Sequence, residues 1–192
     1  MFERLTKVLG MKEPEPAPMG RIGIGPNGVE WQIRRAKWVD KERGIPLFDA
    51  EGNRLYEEKL EIYKNHNITC NTALSGAKDR LFNSATTAGI TNFIVLSEGT
   101  GAMAATDTII QAEITLSGLA RATAAYSVAG CATGECILSK TFTATANVAA
   151  VVKMGLLDAA SAGNLYFEAT IVSVSLVTDD QLTAKWDKIT LS

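Results

Sequence analysis

The clearest pattern along this chain is an alternation of apolar and polar positions in its second half, and that alternation predicts strands. A short β-branched run at 93–96 stops at Glu98-Gly99-Thr100-Gly101, and a second β-prone run follows at 108–116. Two glycines in three residues allow a sharp change of direction, so this stretch reads as strand, glycine loop, strand. Beyond it the pattern predicts a hairpin from 118–128 and 135–146 around a turn at 129–134, then a strand at 151–157. A loop at 158–164 leads to the longest strand, 165–177. There Phe167, Ala169 and Ile171 point one way and Tyr166, Val172, Val174 and Leu176 the other. Two apolar faces imply cover on both sides at one end, by a second sheet and by a helix or a neighbouring subunit. Thr178-Asp179-Asp180-Gln181 turns the chain into a last strand, 182–191, whose large residue, Trp186, is expected in the core.

Helical spacing occurs twice. Leu74, Ala77, Lys78 and Leu81 predict one inward-facing side of a helix over 71–82, with Asn71 or Thr72 as its cap. Phe2, Leu5, Val8 and Leu9 form an apolar face two turns long, too short to be stable alone and therefore in need of a partner surface. Between them lies an extended spacer, Glu13-Pro14-Glu15-Pro16-Ala17-Pro18, then a glycine-rich stretch at 22–28 read as irregular. Residues 31–39 alternate well enough for a strand, and the Glu51-Gly52-Asn53 turn signal makes 48–56 a hairpin. Many short strands at roughly 10-residue spacing with one helix argue for a mainly β protein. The expected architecture is an antiparallel β-sandwich, jelly-roll-like, with one short helix and an extended N-terminal arm.

Charge divides the chain. Residues 1–65 carry 12 Lys or Arg and 11 Asp or Glu, whereas 66–192 carry 7 and 10. The expected domains follow that division: 1–65 as a charged arm with linker and hairpin, 66–192 as the sandwich. Arg34, Arg35, Lys37, Lys41 and Arg43 are offset by Asp40, Glu42, Asp49 and Glu51, and the whole chain carries -2, so a nucleic-acid partner is not expected. No apolar run reaches the roughly 18 residues that span a bilayer, and the first residues lack the layout of a secretory signal; no membrane partner is expected.

Candidate chemistry is sparse. His66 is the single histidine and reads as structural, so no catalytic triad or metal set can be assembled around it. Cys131 and Cys136 flank a turn and read first as packing, with a disulfide or half a metal site as alternatives. Asp107 reads as a loop residue accepting backbone hydrogen bonds. No catalytic residue, cofactor or metal is expected. The candidate interface set is Phe2, Leu5, Val8 and Leu9 of the arm with Trp31 and Trp38 of the strand after it.

The succession Phe93 to Gly101, Ala104-Ala-Thr-Asp-Thr108, Glu113, Phe142-Thr-Ala-Thr, Val152 to Thr170 with its Gly155-Leu-Leu-Asp-Ala-Ala-Ser-Ala-Gly163, and Leu182-Thr-Ala-Lys-Trp186 resembles a group of tailed-bacteriophage structural proteins. That group shows a glycine-threonine loop before a Thr-Asp-Thr, a Gly-Leu-Phe-Asp-Ala-Ala-Ser-Gly-Gly loop and a closing strand with tryptophan. The resemblance covers about residues 66–192. This chain departs at Leu157, where the group has phenylalanine, and after Trp186, where one extra residue calls for a bulge. It implies a non-enzymatic virion protein, assembled in the host cytoplasm, with a capsid-decorating, tail-fibre or minor structural role. On that reading the partners are the major capsid protein or another virion protein and copies of itself, as a homotrimer. A tail, collar or fibre adaptor is the alternative role.

Overall fold

The computed structural model describes residues 24–65, 67–82, 91–133 and 135–191. The protein is mainly β, an antiparallel sandwich of two five-stranded sheets with one short helix. Strands are numbered in chain order. One sheet runs β4 (Tyr56–Asn65), β1 (Ile24–Ala36), β12 (Gln181–Leu191), β9 (Glu135–Thr143) and β8 (Ala125–Ser127). The other runs β5 (Ile68–Thr69), β11 (Leu165–Leu176), β10 (Val148–Leu157), β6 (Phe93–Ser97) and β7 (Ala122–Thr123). The arrangement is jelly-roll-like in that the first and last described strands lie side by side while the chain passes between sheets. A separate hairpin, β2 (Trp38–Asp40) with β3 (Ile45–Pro46), lies outside both sheets.

Alternation explains the core. Val29, Trp31 and Ile33 of β1, Leu182, Ala184 and Trp186 of β12, and Leu138 and Phe142 of β9 bury one face of the first sheet. Phe167, Ala169 and Ile171 of β11 and Met154 and Leu156 of β10 meet them from the second. Trp186 faces Phe167 across the sandwich at 6.0 Å between ring centroids, and Trp31 stacks on Tyr63 at 5.5 Å. Each such side chain contributes roughly 1.5–3 kcal/mol by leaving water. The bulge expected after Trp186 is present: the register of β12 on β9 shifts between Trp186 and Ile189.

Several expectations change. The domain boundary at residue 65 does not divide the molecule, because β1 is hydrogen-bonded between β4 and β12 and contributes fully buried residues to the shared core. The stretch 24–28, read as irregular, is the start of β1, where Ile24 pairs with Leu191 and Gly28 with Asp187. Glycine and proline hide it from an alternation test, but the partner strand supplies the ladder. The strand read over 31–39 breaks at Lys37 into β1 and β2. No strand forms at 108–116; the segment is a loop joined to β6 by the single bridge Ser97 to Glu113, with Ile110 and Ile114 buried and Ile109 and Leu116 exposed.

Helix α1 (Asn71–Phe82) forms where expected; of the expected inward face, Leu74 is exposed, and the side chains of Ala77, Lys78 and Leu81 lie outside the described ones. Ala73 and Gly76 are buried while Leu74 is 48% exposed. A methyl group at Gly76 would lie 2.5 Å from the Tyr166 hydroxyl, so the helix needs its smallest residue there. Neither expected cap operates: the Asn71 N–H donates to the Ala105 carbonyl, and the Thr72 hydroxyl donates to the Leu165 carbonyl. The start of α1 and the loop 98–114 cover the outer face of the second sheet, where Cys70, Val95, Ile110, Leu157 and Leu165 form a second apolar cluster. The two apolar faces of β11 are thus covered within one chain at this end, without a neighbouring subunit. Further along the strand, Val172 is exposed.

Candidate functional site

Between β1 and β4 the chain leaves the sheet for residues 37–55 and builds two consecutive turns at one end of the sandwich. The first is the β2–β3 hairpin. The second is the expected hairpin around Glu51-Gly52-Asn53, reduced to one bridge between Phe48 and Arg54. The Asp49 carboxylate closes it by accepting the N–H groups of Asn53 at 2.7 Å and Glu51 at 3.0 Å, and these bonds, Asn53 first, hold its pKa below the ordinary value.

Arg54 fastens this excursion down. Its Nε donates to Asp179 at 2.9 Å, its Nη1 to the carbonyls of Lys37 and Leu47, and its guanidinium lies over Trp38 at 4.6 Å and Phe48 at 5.8 Å. Below it, Arg35 donates to Asp180 at 2.9 Å, Glu61 at 3.2 Å and the Ser175 carbonyl at 2.7 Å. Asp180 is 1% exposed and also accepts the backbone N–H groups of Ala36 and Val177. Partial burial works against the Arg35 charge, but Glu61 and Asp180 outweigh it and raise its pKa further. The same contact lowers the pKa of Glu61.

An open groove of about 660 Å³ lies between the excursion and the sandwich end, lined by Arg35, Lys37, Trp38, Lys41, Glu57 and Glu61 among others. Its charges alternate in sign and Arg35 is already matched by two carboxylates, so it does not suit a phosphate, which needs uncompensated positive charge. The excursion instead presents apolar side chains outward: Val39, Ile45 and Phe48 are exposed, and Leu60 and Ile62 follow on the outer face of β4. Comparison with models of protein families, with curated proteins and with solved structures finds no match.

Of the candidate interface residues, Trp31 is wholly buried in the core and faces no solvent. Trp38 is half-buried beneath Arg54 at the root of the excursion. Phe2, Leu5, Val8 and Leu9 lie outside the described residues, as does His66. Cys70, Cys131 and Cys136 are free thiols; burial, then the neighbouring Cys131, raises the pKa of Cys136. Asp107 does accept the Ala104 N–H at 2.7 Å, as a loop residue should.

On the outer side of the second sheet, side chains and loops are braced together. Arg121 holds Glu113 with two bonds of 2.6 and 3.0 Å and donates to the carbonyls of Ala159 and Ala162. The Leu165 N–H donates to the Thr108 carbonyl at 2.9 Å. Residues 108–121 and the 158–163 loop are therefore braced against each other. Sequence reasoning missed these anchors, as it missed Arg35, Arg54, Asp180 and the buried pair Lys153–Glu168. The available signal for that pair was one charge in each of two apolar strands.

Proposed function

We propose that this chain is a non-enzymatic structural protein of a tailed-phage particle, with decoration of the shell as its role. The observation that supports this reading most is how three half-buried arginines are used among the described residues. Arg35 ties β1 to the Asp180 turn, Arg54 ties the excursion to Asp179, and Arg121 ties its loop to Glu113 and to the 158–163 loop, which braces segments that no ladder holds. Among the described residues, Val39, Ile45 and Phe48 of the excursion and Leu60 and Ile62 of β4 are exposed apolar side chains in neighbouring segments, and they suit contact with another protein surface. The motif succession that resembles that of phage structural proteins supplies the setting.

In this reading the segment before β1 attaches the protein and the sandwich is displayed. Phe2, Leu5, Val8 and Leu9 are the anchoring face, the proline run 14–18 is the spacer, and the major shell protein or a neighbouring copy is the partner. Mixed charges on the excursion set register, with affinity that falls as salt rises. Deleting residues 1–19 tests this. The shortened protein is expected to melt as the full chain does and to lose binding to particles stripped of it. Undiminished binding would move the attachment surface to the sandwich.

A further inference from the structure

Beneath the loop 98–114 the second sheet holds charges that the proposed function does not use. Lys153 on β10 pairs in register with Thr170, and Gly155 with Glu168, so Lys153 and Glu168 are diagonal neighbours on one face of adjacent strands. Their side chains are 3% and 2% exposed, and Nζ lies 2.9 Å from Oε1. The other oxygen of Glu168, Oε2, is buried without a hydrogen-bond donor. Asp107 approaches the same carboxyl group from the loop, and Cys70 lies near both. The roof is pinned at two points, where the Ala105 carbonyl accepts the Asn71 N–H and the Thr108 carbonyl accepts the Leu165 N–H, and the Asp107 carboxylate closes its own turn on the Ala104 N–H.

Glu168 Oε2 is thus a buried acceptor left without a donor, a costly arrangement for an ionised carboxylate. Burial is the largest influence on Glu168 and raises its pKa; Lys153 opposes the rise and Asp107 adds to it. Burial also pushes the Cys70 thiol up to about 11, with smaller effects of Glu168 and Asp107 in the same direction. The site therefore disfavours charge. A buried ammonium-carboxylate pair in such surroundings can become an amine beside a carboxylic acid by one proton transfer.

We propose that Lys153 and Glu168 form a covalent amide bond, a cross-link between β10 and β11 made by the folded protein itself. The proton moves from Nζ to the Glu168 carboxylate, leaving a neutral amine with its lone pair facing Cδ. Nζ attacks Cδ, forming the C–N bond. Asp107 takes one proton from the nitrogen and returns it to a hydroxyl of the tetrahedral centre, which leaves as water with the breaking C–O bond. Ammonium and carboxylate become amide and water, so atoms and charge balance and no oxidant or second substrate is needed. Fixed geometry can be worth about 10⁵–10⁸ M in effective concentration, and the closed roof excludes the bulk water that would favour the ionised pair. Asp107 is a positioning and proton-carrying residue.

The test is denaturing intact-mass measurement of the full chain after folding, followed by tryptic mapping. The bonded chain is lighter than its sequence by one water. Lys153 is the only Lys or Arg between Lys140 and Lys185, so trypsin leaves 141–185 as one peptide when Lys153 is blocked and cuts after it when it is free. Fragmentation of the uncut peptide is expected to yield no backbone ions between 153 and 168. Lys153→Arg is expected to restore the sequence mass, and Asp107→Asn to slow the mass loss. A fully folded chain at its sequence mass throughout pH 5–8 overturns the proposal. So does a water loss mapped elsewhere, a link from Lys153 to Asp107, or a loss that persists in Lys153→Arg.

Discussion

Replacing Asp180 by asparagine keeps the shape of the side chain and removes one charge from the base of the excursion. Oδ1 accepts the Ala36 N–H at 2.8 Å, and Oδ2 accepts Arg35 at 2.9 Å and the Val177 N–H at 3.2 Å. An amide offers one oxygen where three donors converge on two. Whichever way it turns, its NH2 group faces at least one N–H, so a charge-assisted bond worth about 1.5–3 kcal/mol is lost or a buried donor goes unpaired. Breaking a buried ion pair costs about 3–5 kcal/mol when the partner is stranded. Arg35 is not stranded, since it keeps Glu61 and the Ser175 carbonyl and is 27% exposed. The expected loss is therefore about 2–4 kcal/mol, read as a lower urea midpoint with unchanged slope, or as a Tm fall of about 5–15 °C for a chain of this size. Pairing the change with Arg35→Met in a double-mutant cycle should give less than additive loss. A destabilisation below about 0.5 kcal/mol would refute the claim that this cluster fixes the sandwich end.

Trp186→Ala should cost about 3–5 kcal/mol by leaving a cavity against Phe167. Trp186→Phe should cost much less, because the indole N–H is buried without an acceptor; equal losses in chemical denaturation would contradict the packing described. Arg35 holds the Glu61 pKa below its usual 4.5, so that group's contribution is present above pH 4.5 and fades as pH falls through the folded value. Glu61→Gln should accordingly be less stable than the parent at neutral pH, with the gap closing in acid; a gap independent of pH would show that the charge is not used. Gly76→Ala gains about 1 kcal/mol in helix propensity, yet its methyl would meet the Tyr166 ring at 2.5–3.0 Å. The variant should still melt lower, and a higher Tm would mean that Tyr166 can move aside.

Much of the sandwich was legible because alternation survives in β12, where Leu182, Ala184 and Trp186 enter the core in turn, and in β11 over Phe167, Ala169 and Ile171. β1 was only half legible. Its Trp31 and Ile33 alternate, but Gly25, Pro26 and Gly28 carry no pattern, and their strand conformation comes from pairing with β12 about 160 positions later. The run 108–116 misled in the opposite direction. Its β-branched residues divide between buried Ile110 and exposed Ile109 as a loop lying on the sheet, held by the Leu165 N–H and the Ser97 hydroxyl instead of a ladder. The helix pattern pointed to Leu74 because periodicity rewards large residues, whereas close approach to Tyr166 selected Ala73 and Gly76. The sandwich end was not legible at all. Arg35 meets Asp180, and Arg54 meets Asp179, through contacts 145 and 125 positions apart that no local spacing encodes.

The central claim is that this protein is a repeated component of a particle shell, and counting it there tests that claim most directly. Purified particles quantified by mass spectrometry against the major shell protein should contain tens to hundreds of copies of this chain, lost together when the head surface is stripped. A handful of copies that stay with the neck or tail would contradict decoration and favour an adaptor; none in the particle would contradict the structural role itself.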